Sequence, residues 1–265
     1  MKITIGRHYP VESPIHRLDA RIKVTGVFLY VIAIFIAKGA AEYLFAACFT
    51  AVVIYMTNVP VKMFLSGFKN LAMVILFTAV LNVFFSNEGN VLWGVGIIKI
   101  TDMGIITAAR LTARLLLLVI GSSVLTLTTS PMELTYALES LLKPLKRVGV
   151  PVHETAMMIS IAIRFIPTLS EELEKIKKAQ SSRGVDFESG SFMQRAKNFI
   201  PLLVPLFISS FRRADELAMA MESRGYRGDE GRTRMRKYLL NVQDKRAGAV
   251  MAAFLVIIIL MRILI

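Results

Sequence analysis

From Ala247 to Ile265 the chain is almost uniformly Ala, Val, Ile, Leu and Met. A helix of about 20 apolar residues crosses the roughly 30 Å hydrocarbon core of a bilayer. Four further runs have the same character. They are Ile22 to Ala41, Tyr43 to Thr57, Leu71 to Phe85 with an apolar flank back to Phe64, and Gly104 to Thr129. The last of these is interrupted by Arg110 and Arg114. The turn between the first two is so short that they read as an antiparallel hairpin. An all-α, polytopic membrane protein is expected, with four N-terminal spans and one C-terminal span.

Composition agrees. Apolar residues make up 55% and charged residues 19%, with a mean hydropathy of +0.58; soluble domains average nearer a quarter charged. Disordered, collagen-like and disulfide-scaffold classes are excluded. Cys48 is the single cysteine, so neither an internal disulfide nor a Cys-based zinc site is expected. The first 23 residues are polar and Pro-containing, without the apolar core of a cleavable signal, so the first span is expected to remain.

The net charge of +13 then sets the sides. Lys2, Arg7, Arg17, Arg21 and Lys23 precede the first span, and Lys62 and Lys69 follow the second. Residues 130–245 hold 19 of the 32 basic side chains against 14 acidic ones. The opposite loops offer Lys38 with Glu42, and Lys99 with Glu88 and Asp102. Basic loops stay in the cytoplasm, so four spans before residue 130 place the N-terminus and the long segment inside. A cell-membrane, multi-pass protein follows, divided as 1–129, 130–245 and 246–265.

The long segment is too polar for spans and too apolar for a soluble loop. It reads as three helices. Ser130-Pro131-Met132-Glu133 is a capping box with Pro at the first helical position, opening a short helix to about Leu142. Pro144 and Gly149-Val150-Pro151 end it. A second helix runs from near Pro151 to Arg183, with Met158, Ile161, Phe165, Leu169, Leu173 and Ile176 on one face. Pro167 should kink it, and Glu171–Lys175 and Glu174–Lys178 can pair at i,i+4. A third starts around Phe192 or Pro201 and runs to Arg224, with a similar stripe that includes Leu203, Phe207 and Phe211.

Both long helices end in one tripeptide: Ser182-Arg183-Gly184 and Ser223-Arg224-Gly225. One reading is purely structural. Gly ends helices, and Arg meets the negative end of the macrodipole. The repetition favours a second reading, because a planar guanidinium on a helix tip can reach acidic groups or carbonyls in a partner's groove and stays charged there.

The four N-terminal spans, the segment of long helices with paired Arg-Gly endings, and the final span together resemble the T component of energy-coupling factor (ECF) transporters, ABC-type importers of vitamins and trace metals. The resemblance covers almost the whole chain, and the 41 residues from Arg183 to Arg224 fit the family arrangement. The family signature reads Ala-Arg-Gly twice; both copies here carry Ser in place of Ala.

The resemblance implies a non-catalytic coupling subunit with cytoplasmic coupling helices. Its partners would be two ABC ATPase subunits and a substrate-binding S component. Ser182, Arg183, Gly184, Ser223, Arg224 and Gly225 would dock the ATPases. Met157, Met158, Ile161, Phe165, Leu203 and Phe207 would form a platform for the S component, where Met repacks readily against different partners. The competing reading of these stripes is that they pack on each other and on the spans.

The remaining polar residues point away from chemistry. Arg110 and Arg114 in the fourth span suit snorkelling or an interhelical bond, with Asn82 the candidate partner of Arg114. Asp19 and Arg21 are expected at the interface. His8, His16 and His153 lack ligand spacing, and there is no phosphate-binding G-x-x-x-x-G-K-[ST] loop. No catalytic residue, metal site or cofactor is expected. The basic run at Arg227, Arg232, Arg234, Arg236 and Lys237 adjoins a span and suits anionic lipid heads rather than nucleic acid. The rival class is a self-contained carrier or channel, which would show polar residues along a pore or paired broken helices.

Overall fold

The computed structural model describes residues 8–85, 90–95, 98–187, 189–228 and 240–264. Lys2, Arg7, Glu88, Arg232, Arg234, Arg236, Lys237 and Ile265, all named above, lie outside the described residues. The chain gathers into two compact units, one over Gly6–Ala137 with Lys237–Ile265 and the other over Leu138–Arg236.

In the first unit, α1 (Ala20–Ile36), α2 (Ala40–Thr57), α3 (Val61–Phe85), α4 (Asp102–Thr128) and α8 (Val242–Leu264) are the apolar helices. A two-stranded antiparallel hairpin, β1 (Val91–Val95) with β2 (Ile98–Thr101), joins α3 to α4. Among the described residues, three helices have the length and hydropathy to cross a membrane: α2, α4 and α8. The apolar stretch Leu71–Phe84 of α3 is shorter, and α1 has 17 residues.

The first predicted run, Ile22 to Ala41, is cut short. α1 stops at Ile36, and α2 begins at Ala40 with Gly39 as its N-cap. The cause is local. The Glu42 carboxylate accepts from the backbone N–H groups of Lys38 and Gly39, which a continuous helix would direct elsewhere.

Phe254 of α8 organises the helix packing. It stacks on Phe49 at 4.2 Å, on Phe45 at 5.7 Å and on Tyr30 at 5.8 Å between ring centroids. Ala33, Ile34, Ala46, Leu117 and Ile258 complete this core. The outer surfaces are apolar instead of polar: Phe28, Leu44 and Met73 are all more than 60% exposed. Such a surface suits acyl chains rather than water.

Small residues let α1 and α4 approach. Tyr30 Oη sits 2.8 Å from Thr50 Oγ1 and donates to the Leu117 carbonyl at 3.2 Å, tying α1 to both α2 and α4. A Cβ at Gly121 would lie 2.9 Å from Tyr30 Cδ1 and closer still to Cε1. Gly121→Ala should therefore displace the ring and destabilise the unit by about 1–3 kcal/mol, the usual overpacking cost. Thermal unfolding in detergent measures it, and an unchanged midpoint would show that the ring can move freely.

Arg114 tells a different story from the one its sequence position suggested. Its partner is not Asn82, whose Nδ2 donates to Thr78 O within α3. Arg114 Nε donates to Tyr43 Oη and its Nη2 to Ala37 O, both at 3.1 Å, with the guanidinium 5.7 Å from the Phe35 ring centroid. The carbonyl of Ala37 ends α1, where acceptors lack an intrahelical partner and the macrodipole is negative. The long Arg side chain reaches it, whereas Asn82 has a nearer acceptor in its own helix.

At the start of α1, Arg21 Nη2 meets Asp19 Oδ2 at 2.8 Å, and Asp19 N donates to Asp244 Oδ1 at 2.8 Å. Desolvation pushes the Asp19 carboxyl up. Hydrogen bonds from the Arg21 side chain and backbone, together with the positive charges of Arg21 and Lys23, outweigh that and hold it below the usual carboxylate range.

Candidate functional site

The second unit contains the end of α5 (Pro131–Leu142), a 3-10 turn over Lys143–Val148, α6 (Val152–Ser182) and α7 (Phe192–Ser223). α5 opens as expected: Glu133 N donates to Ser130 Oγ, and Ser130 N to Glu133 Oε2. Of the two expected starts for α7, Phe192 holds, because Ser191 Oγ accepts from Gln194 N. Pro167, Pro201 and Pro205 lie inside their helices.

The two Ser-Arg-Gly endings close in the same way. Val185 N donates to Gln180 O and Gly184 N to Ser181 O; Tyr226 N donates to Met221 O and Gly225 N to Glu222 O. This is the Schellman pattern at both ends. Arg183 is the C-cap at φ −89°, ψ 8°, and Arg224 is the C-cap at φ −88°, ψ 8°. The glycines follow at φ +86° and +73°, a region that costs other L-residues about 1–2 kcal/mol. Nothing lies within 4 Å of a Cβ placed at either glycine, so conformation and not crowding requires Gly. The serines are exposed and bond back onto their own helices: Ser182 Oγ donates to Lys178 O and Ser223 Oγ to Ala220 O, both at 3.1 Å.

Both arginines are exposed, and among the described residues neither guanidinium has a side-chain partner. Two planar forks of five donors each are thus presented on matching backbone frames. The first is braced from below. Phe187 is buried beside Phe199, with Lys177 Nζ 5.9 Å from its ring centroid, and Asn198 Nδ2 donates to Asp186 O. Beyond the second lie Arg227 and Gly228, the latter at φ +80°.

α6 and α7 run antiparallel where they meet. Gln180 Nε2 donates to Pro201 O at 3.4 Å, and Arg213 Nη2 pairs with Glu172 Oε2 at 3.2 Å. The ion pair has a particular place. Glu172 stands eleven residues before Arg183, and Arg213 eleven residues before Arg224. Each tip is therefore about 16 Å along its own helix from the shared contact. The sequence reading missed this pair, having assigned neighbouring glutamates to i,i+4 partners within α6. Glu172 and Arg213 are 41 residues apart, as are the two Arg-Gly endings, because the pair lies equally far from both tips; finding it requires the antiparallel register that also sets Gln180 against Pro201.

The apolar stripes divide. Met157, Ile161 and Phe165 are half-buried, while Met158, Leu203 and Phe207 are exposed at 59%, 45% and 60%. On α7, Phe199, Val204, Ile208 and Phe211 extend the exposed face at helical spacing. Core packing takes other residues: Leu202 is 2% exposed, and Val152 and Ala156 are buried. Among the described residues there is no group of three or more His, Cys, Asp or Glu side chains placed to hold a metal ion.

Comparison with known sequences adds the following. The profile of the family CbiQ, described as cobalt transport protein, matches residues 11–235. The chain is 49% identical over 259 residues to the energy-coupling factor transporter transmembrane protein EcfT of Ruminiclostridium cellulolyticum, covering 98% of this chain and 97% of that one. It is 47% identical over 263 residues to EcfT of Limosilactobacillus fermentum, covering 99% and 98%. It is 45% identical over 240 residues to EcfT of Bacillus subtilis, covering 91% of each.

Proposed function

Since the chain belongs to the CbiQ/EcfT family of energy-coupling factor transporter transmembrane proteins, we propose that it couples two ABC ATPase subunits to a separate substrate-binding S component for vitamin or trace-metal uptake. The observation that carries this is the pair of exposed arginines, held on matching Schellman ends and left without partners among the described residues. One ATPase takes Arg183 and the other takes Arg224. The topology is five spans with the N-terminus and residues 130–245 in the cytoplasm.

ATP binding draws the two ATPases together and carries the two tips with them. Rigid helices that meet at Glu172–Arg213 turn this into a change of angle about the shared contact. The exposed apolar faces at Met158, Leu203 and Phe207 change shape with it, and the S component resting there reorients. The chain itself hydrolyses nothing. Its part is to bind and to transmit force. Cargo recognition belongs to the S component, so the word cobalt in the family description does not fix the solute carried here.

The test is purification of the tagged chain from its native membrane. Two ATPases and at least one small membrane protein should come with it, and several different small partners would mark a shared module. A chain that emerges alone and still moves a solute in liposomes would replace this reading with the self-contained carrier.

A further inference from the structure

The apolar helices enclose a second feature that the coupling reading does not use. A cavity of about 750 Å³ opens between α1, α2, α4 and α8. This lies within the range of about 300–1,000 Å³ usual for small-molecule sites. Its walls are apolar, with Val27, Val53, Val124, Leu125 and Met251 among them. It runs along α1 from Ile22 to Tyr30, a depth of about 12 Å. The floor is closed by Tyr30 and Thr50, whose hydroxyls bond each other.

The mouth is different. Arg17, Lys23 and Arg246 line it with Glu12; Lys23 is only 8% exposed, and Glu133, Asp19 and Asp244 lie close enough to act on its charge, so the two exposed arginines carry most of the free positive charge there. Arg17 meets Glu12 at 2.7 Å, but the two side chains are 68% and 86% exposed, so the pair exchanges readily. Lys23 Nζ donates to His16 O and Thr128 O, which uses two of its three N–H groups. Arg246 is exposed. The side of the crevice is open as well. Val52, Met56 and Val250 line it and are 58%, 41% and 55% exposed. Their apolar surface continues to the outer face of α2 and α8.

We propose that this crevice holds one anionic phospholipid, with its phosphate at Arg17, Lys23 and Arg246 and an acyl chain along Val27, Val53 and Val250. Two exposed arginines, with the remaining N–H of buried Lys23 beside them, match a phosphate diester, and the apolar shaft below matches a hydrocarbon tail. Water finds few polar partners along these walls beyond Thr128 and the Tyr30–Thr50 pair, whereas an acyl chain gains dispersion contacts with them. The lateral opening gives a lipid a route from the bilayer without opening the bundle. The inference requires only that these helices lie in a membrane, and it stands apart from the coupling role.

Native mass spectrometry of the full chain in mild detergent tests it, with dioleoyl phosphatidylglycerol, dioleoyl phosphatidylcholine and tail-less glycerophosphoglycerol as probes. The wild type should retain one phosphatidylglycerol and prefer it to phosphatidylcholine by at least about 10-fold, given the cationic mouth. Arg17→Ala/Arg246→Ala should weaken phosphatidylglycerol about 30-fold, the effect of two surface cations. Val250→Trp, at an exposed position, should block both lipids by filling the shaft while leaving the unfolding midpoint in place. Equal retention of the two lipids by the wild type would overturn the proposal. So would binding of the tail-less head group as tightly as the lipid, or lipid binding that neither variant changes.

Discussion

Arg183→Glu/Arg224→Glu is expected to lose both ATPases on purification and to abolish uptake, while the chain still inserts and folds. A hydrogen bond to a charged group contributes about 1.5–3 kcal/mol, and reversal adds repulsion against the acidic or carbonyl groups that received the guanidinium. Two tips together should weaken assembly by about 3–6 kcal/mol, or roughly 10² to 10⁴ in affinity. Each single variant should keep partial assembly, because the other tip is intact. Folding is insulated from the change. Both side chains are exposed and without partners among the described residues, so the unfolding midpoint in detergent should hardly move. Arg227→Glu provides the control: it places the same charge change three residues beyond Arg224, outside the capped tip. Equal loss in Arg227→Glu would reduce the effect to general electrostatics. Full co-purification and uptake in the double variant would remove the tips from the docking role.

Much of this site is legible in the sequence because helix endings are local. Ser-Arg-Gly contains its own instructions: the Gly supplies the positive φ, the Arg takes the position before it, and the Schellman bonds need only the preceding turn. The capping box at Ser130 and Glu133 is local in the same way. What the sequence hid depends on neighbours far along the chain. The partner of Arg114 lies 77 residues away at a carbonyl, which every residue possesses and no pattern marks. The Glu172–Arg213 pair needs the antiparallel register of α6 and α7. The break at Ala37–Gly39 was obscured by strong hydropathy on both sides, although Gly39 followed by Glu42 carried the cap. The stripes show a third case. Apolar spacing identified a helix face at Leu203 and Phe207, but burial falls on Leu202, one position round the helix. Periodicity finds a face; it does not say which partner covers it.

The geometry of the tips, as distinct from their charge, is tested by the glycines. Gly184→Ala/Gly225→Ala keeps both guanidiniums and adds no clash, since nothing lies within 4 Å of either new methyl. The cost is purely conformational. An L-residue at φ +86° or +73° loses about 1–2 kcal/mol, so each helix end should relax out of the Schellman turn and release the φ −89° or −88° frame of the preceding Arg. Assembly should weaken by about 2–4 kcal/mol for the pair, roughly 30- to 1,000-fold, if docking requires the capped frame. Asn is the discriminating substitution because it tolerates the left-handed region better than other non-glycine residues. Gly184→Asn/Gly225→Asn should therefore recover most of the binding that Ala loses. Co-purification of the ATPases with the Ala and Asn pairs side by side reads this directly. Recovery by Asn identifies the left-handed residue as what orients the arginines. Wild-type binding by the Ala pair would show instead that charge at the helix tip suffices and that the matched frames are only a consequence of how helices end.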